Sequence, residues 1–130
     1  MASEKEVKTK EIYTECESRD HFLSFLGENT GIMLFKFGAT WCRPCNYIKD
    51  DVEKCFAETP DNVICFDLDI DDCFDLYAFL KSKKMVTGVP SILAYKKGNS
   101  SFASDFSYSG SDKTVLQQFF QTINVAAKNI

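Results

Sequence analysis

Ile32 to Phe37 is a nearly continuous apolar run held between Gly31 and Gly38. A few residues later it leads into Trp41-Cys42-Arg43-Pro44-Cys45 and a change of period. A short apolar run bounded by glycines reads as a strand covered on both faces. From Cys42 to Thr59 the pattern is helical: Ile48, Val52 and Phe56 sit four apart, with Cys45 and Cys55 near the same face. Pro60 stops that helix. A buried strand feeding a helix through two cysteines confines the chain to layered α/β folds.

The remaining segments extend the alternation. Glu11 to Thr14 reads as a short edge strand. Ser18 is a good N-cap for a helix carrying Phe22, Phe25 and Leu26 and ending near Gly27. Asn62 to Asp69 is a second buried strand, and Asp71 or Asp72 can cap a helix bearing Leu76, Phe79 and Leu80. Ser91 to Tyr95 reads as a strand, Lys96 to Asn99 as a hairpin turn and Phe102 to Tyr108 as its partner. Ser111 caps a last helix with Val115, Leu116, Phe119, Phe120 and Ile123 on one face. The order β-α-β-α-β-α-β-β-α predicts a mixed central sheet of about five strands, flanked by about four helices on both faces.

Length fits one domain: 130 residues, read as a polar N-terminal extension over 1–10 and a folded domain over 11–130. Fifteen basic against nineteen acidic residues give −4, which disfavours nucleic acid as a partner. Met1 to Lys8 is charged and carries no secretory pattern, and the longest apolar run falls far short of the roughly 20 residues that span a bilayer. The expectation is a cytoplasmic chain without membrane partners, most of whose thiols are free.

Six cysteines leave a disulfide framework, a metal site or redox chemistry open. The place of Cys42 and Cys45 favours the last. At a helix start Cys42 meets unpaired backbone N–H groups and the positive end of the helix dipole. Both stabilise a thiolate, the nucleophile of disulfide exchange. Pro44 suits the first turn, where its missing N–H has no helical acceptor. Cys45, one turn in, faces the core and should be the less exposed. Cys42 is therefore the expected nucleophile and Cys45 the resolving thiol. A zinc site is the weaker reading, since one C-x-x-C pair, one histidine (His21) and scattered Cys16, Cys55, Cys65 and Cys73 do not supply four spaced ligands. Haem attachment needs histidine where Asn46 stands.

From about Lys10 to Ile123 the chain resembles the thioredoxin family. Three anchors carry the resemblance: Phe35-Lys-Phe-Gly-Ala-Thr-Trp-Cys-Arg-Pro-Cys45, Asp67-Leu-Asp-Ile-Asp-Asp-Cys73, and Gly88-Val89-Pro90-Ser91 ahead of a strand and a Lys-Lys-Gly turn. It implies the thioredoxin fold and reduction of protein disulfides by dithiol exchange, with an oxidase, an isomerase or a binding module without turnover as alternatives. The only redox group would be the cysteine pair, with no bound cofactor or metal. Partners would be disulfide-containing proteins and thioredoxin reductase or a similar reductase, with the chain a monomer serving electron transport and cell redox homeostasis. Pro90 matches the family's cis-proline, with the Val89 backbone binding an extended substrate segment. Trp41 would be an apolar platform beside the sulfurs, and Gly110 would let a partner approach.

The departures are informative. Arg43 replaces a frequent glycine; a cation there should favour the Cys42 thiolate and raise the reduction potential slightly. Lys36 occupies the place of the family's buried aspartate, and Asp67 aligns near it, so the two are expected to form a pair of reversed polarity that tunes Cys45. Asp50 replaces a helix-kinking proline. Cys55 and Cys65 read as core packing, while Cys16 and Cys73 lie near element ends, where the sequence leaves their exposure open.

Overall fold

Strand β2 (Ile32–Gly38) is buried along its whole length and forms the centre of a five-stranded sheet in a computed structural model that describes residues 10–130. The other elements are β1 (Ile12–Tyr13), α1 (Arg19–Gly27), α2 (Arg43–Ala57), β3 (Val63–Asp69), α3 (Phe74–Ser82), β4 (Ser91–Lys96), β5 (Phe106–Ser109) and α4 (Lys113–Lys128). Strand order is β1-β3-β2-β4-β5. β2 pairs with β3 in parallel and with β4 antiparallel, giving the predicted mixed sheet. Of the predicted extension, residues 1–9 lie outside the described residues. Lys10 is tied down, its Nζ donating to the carbonyls of Pro60 at 2.9 Å and Val63 at 2.8 Å.

The period of two divides the core. Ile32 and Leu34 face α2 and α4 in one cluster; Met33, Phe35 and Phe37 face α1 and α3 in the other. Lys36 shares the parity of Ile32 and Leu34, so it lies on the α2 side, opposite Asp67 in register. The approach of β2 to β3 demands glycine at one point: a Cβ on Gly31 would drive into the Asn62 carbonyl, which accepts the Ile32 N–H at 3.0 Å.

Several boundaries correct the sequence reading. The cap of α4 is Asp112, not Ser111: its Oδ1 accepts from Thr114 N at 2.9 Å and Val115 N at 3.1 Å. Val115 then points outward, 46% exposed. The cap position of α3 is Cys73, which makes no side-chain cap bond, rather than Asp71 or Asp72. The partner of β4 begins at Phe106 instead of Phe102. Between them side chains take the backbone's hydrogen bonds: Asp105 Oδ2 accepts from Lys96 N at 2.8 Å, Asn99 Oδ1 from Ser101 N at 2.8 Å, and Ser101 Oγ from Ala103 N at 3.0 Å. Such local bonds compete with a strand ladder.

Candidate active site

β2 delivers the chain to Ala39, and α2 starts four residues after it, at Arg43. Cys42 is the N-cap of α2, and Pro44 lies in the first turn. Cys42 and Cys45 are joined by a disulfide, their Cα atoms 5.3 Å apart. Cys42 Sγ accepts from Cys45 N at 3.2 Å, so the helix-end donor expected for a thiolate is aimed at this sulfur.

The predicted difference in exposure is not found: Cys42 is 5% and Cys45 4% exposed. Ala39 clusters with the two cysteines, and Ile70 and Val89 pack against that cluster. The two differ in what they face. Cys42 Sγ lies 3.7 Å from the Val89 carbonyl oxygen. Cys45 Sγ faces inward, 3.6 Å from where a Gly38 Cβ would stand, and Lys36 Nζ lies 3.6 Å from the same point. Ammonium and sulfur thus share one small space. Lys36 is 5% exposed and its Nζ stands 3.4 Å from Asp67 Oδ1, so the expected pair forms. Lys36, Asp67 and Cys45 line a cavity of about 290 Å³, together with Asn46 and Lys49.

The Val89–Pro90 peptide is cis, as the resemblance implies. Gly110 N donates to the Pro90 carbonyl at 3.2 Å, and its φ of +97° is a conformation that favours glycine. Trp41 is 66% exposed, and its Nε1 donates to Asp71 Oδ2 at 3.0 Å. Arg43 is exposed at the first helical position. The sequence reading did not find Asp71 as the anchor of Trp41, nor Ile70 as a residue packed against the cysteine cluster. An acidic run before a helix looks like a cap, and only the fold brings it to the tryptophan.

The other cysteines are all free and buried. This bears out Cys55 and Cys65 and decides Cys16 and Cys73, whose exposure the sequence left open: they are 2% and 3% exposed. Burial raises all four thiols: Cys16 to about 12, Cys65 to about 11, and Cys73 to about 11, with Asp69 and Asp72 adding to Cys73; Cys55 rises for the same first reason. Among the described residues no group of three or more His, Cys, Asp or Glu side chains is placed to hold a metal ion. No described helix is long and apolar enough to cross a membrane.

A closed C-x-x-C pair at a helix start, on a mixed sheet beside a cis-proline, defines a protein built for thiol–disulfide exchange. The thioredoxin family model matches residues 13–122. Thioredoxin of Ovis aries is 31% identical over 109 residues, covering 84% of this chain and 90% of that one. Thioredoxin-2 of Saccharomyces cerevisiae is 32% identical over 87 residues, covering 67% and 79%. The solved thioredoxin of Malassezia sympodialis superimposes with a TM-score of 0.66 at 23% identity, covering 87% of this chain and 93% of that chain. The chain belongs to the thioredoxin family and is a thiol–disulfide oxidoreductase, an enzyme of the disulfide-reductase class.

Proposed function

We propose that the chain reduces protein disulfides in two steps, with Cys42 attacking and Cys45 resolving. The observation that carries this is the difference in surroundings: Cys42 Sγ takes the helix-end N–H and lies at the Val89–Pro90 edge, while Cys45 Sγ faces inward. The Cys42 thiolate attacks one sulfur of the target disulfide; that bond breaks, and the first target sulfur leaves and takes a proton. The Cys45 thiolate then attacks Cys42 Sγ, and the second target thiolate leaves. A reductase of the thioredoxin reductase kind returns two electrons to the closed pair, so no bound cofactor is needed. The Val89 backbone holds the target segment in strand-like fashion, Trp41 supplies an apolar platform, and Gly110 leaves room for it. Arg43 adds a modest preference for the Cys42 thiolate, about 0.3–1 kcal/mol for an exposed charge. None of these steps needs a second copy, a membrane or a nucleic acid. Four free cysteines suit a reducing compartment such as the cytoplasm. Dithiothreitol-driven insulin reduction tests the activity: acceleration by the chain supports it, and the bare dithiothreitol rate overturns it.

Lys36 and Asp67 tune the resolving thiol in this reading. A cation facing Cys45 favours its thiolate, and the Asp67 carboxylate moderates that field. The two substitutions should therefore act in opposite directions. Lys36→Met is expected to raise the midpoint of the pH profile for resolution of the mixed disulfide by about one unit, and Asp67→Asn to lower it. Unmoved profiles for both variants would show that the pair takes no part.

A further inference from the structure

Tyr47 is a large ring left 61% exposed on α2, two residues after Cys45. It is held from α4: Lys113 Nζ stands 4.2 Å from the ring centroid and 3.0 Å from Asp51 Oδ2, one turn further along α2. Lys113 is the first residue of α4, where the helix dipole opposes a cation. Its own helix therefore does not account for it, and the contacts across to α2 do. These contacts close a circuit around the cysteine pair. Cys42 Sγ lies at the Val89 carbonyl, the Pro90 carbonyl accepts from Gly110 N, Lys113 follows Gly110 by three residues, and Lys113 returns to Tyr47. Strand order puts Trp41 on the other side of the pair. Trp41 is tied to Asp71, just after β3, whereas Lys113 follows β5, and β2, which leads into the pair, lies between those strands. Two exposed rings thus flank Cys42 and Cys45, each fastened to a different part of the fold.

We propose that Tyr47 is a specificity-determining residue of the exchange reaction: its open face forms a second aromatic wall for the target segment, opposite Trp41, and selects disulfides whose reacting cysteine carries an aromatic neighbour on that side. This rests on the reading that Cys42 attacks a target segment laid along Val89. Lys113 is a positioning residue. The ammonium covers one face of the ring and leaves the other to solvent. An exposed tyrosine otherwise exchanges among its rotamers. With the ammonium over one face, itself pinned by Asp51, the ring keeps one orientation, so less freedom is lost when a target ring packs on the other face. Tyr47 touches neither sulfur in this assignment. It acts on which target is held, through the affinity for the segment, and the chemistry stays with the cysteine pair.

The test uses the full chain, reduced and freed of reductant, with disulfide-linked homodimers of short single-cysteine peptides. The peptides carry serine on both sides of the cysteine, phenylalanine just before it, or phenylalanine just after it, and are otherwise identical. Release of peptide thiol is followed against dimer concentration. Phenylalanine at one of the two positions is expected to lower the half-saturating concentration about fivefold, the scale of one aromatic pair, with the limiting rate little changed. Tyr47→Ala should remove that gain and Tyr47→Phe should keep it, while the response to phenylalanine at the other position stays as it was. Lys113→Met should lose most of the gain, and Lys113→Arg, which keeps a cation for both Asp51 and the ring, should restore it. A gain below about twofold at both positions, an equal loss for every peptide in Tyr47→Ala, or loss of the gain in Tyr47→Phe overturns the assignment of Tyr47. The full gain in Lys113→Met overturns the positioning role. A chain that reduces none of the dimers overturns the exchange reading and this inference with it, whereas equal reduction of all three overturns this inference alone.

Discussion

Cys42→Ser is expected to return dithiothreitol-driven insulin reduction to background, a loss of at least about 10³-fold, the scale on which removing a covalent nucleophile acts. The hydroxyl of serine is hardly ionised at neutral pH and its oxygen forms no disulfide. The fold should survive. The Cys42 side chain accepts one hydrogen bond, from Cys45 N at 3.2 Å, and a serine oxygen at an N-cap accepts the same donor well. Far-ultraviolet circular dichroism and the melting temperature of the dithiol form are the controls. A Cys42→Ser protein that is folded and retains a tenth of the rate would show that another thiol carries the attack.

Phe35→Ala is expected to be the most damaging of the core truncations. Phe35 is fully buried on β2, stacked on Phe66 at 4.4 Å between centroids, and set against Phe22 at 4.9 Å and Tyr95 at 5.8 Å edge-on. Those contacts knit α1, β2, β3 and β4 together, so neighbours cannot all collapse into the space left behind. Truncation should cost about 3–5 kcal/mol. That is a large share of the roughly 5–15 kcal/mol that holds a domain of this size. Thermal melting should shift down by roughly 10–20 °C. Phe74→Ala, at a ring 72% exposed, should change stability by no more than about 0.5 kcal/mol. Similar shifts for the two variants would contradict the account of which ring carries the core.

Much of this is legible in the chain because β2 and α2 carry strong periodic signals. Seven successive buried positions follow from one apolar run between glycines, and the buried face of α2 follows from spacing. The cysteine pair sits at their junction, so the reacting groups come with the fold. What the sequence hides is set by contacts between distant segments. Cys16 has no periodic neighbour, and its burial comes from packing in the cluster that also holds Cys73 and Leu76 of α3. Ser111 and Asp112 are both good caps, and only the entry geometry of α4 decides between them. Lys36 is the contrary case: periodicity alone makes it anomalous in a buried strand, but the family resemblance already set Asp67 near it, and the register has the two side by side. The equal burial of the two sulfurs was also not legible, because Ile70 and Val89 arrive from elsewhere in the chain.

The central claim is that Cys42 meets the target and Cys45 releases it. Capture with Cys45→Ser tests it most directly. A disulfide-containing protein such as insulin is mixed with the reduced variant, and the adduct is mapped by mass spectrometry under non-reducing conditions. The account predicts a stable mixed disulfide through Cys42, dissolved by dithiothreitol and absent from the Cys42→Ser, Cys45→Ser double variant. Capture by Cys42→Ser through Cys45, with none by Cys45→Ser, would contradict it.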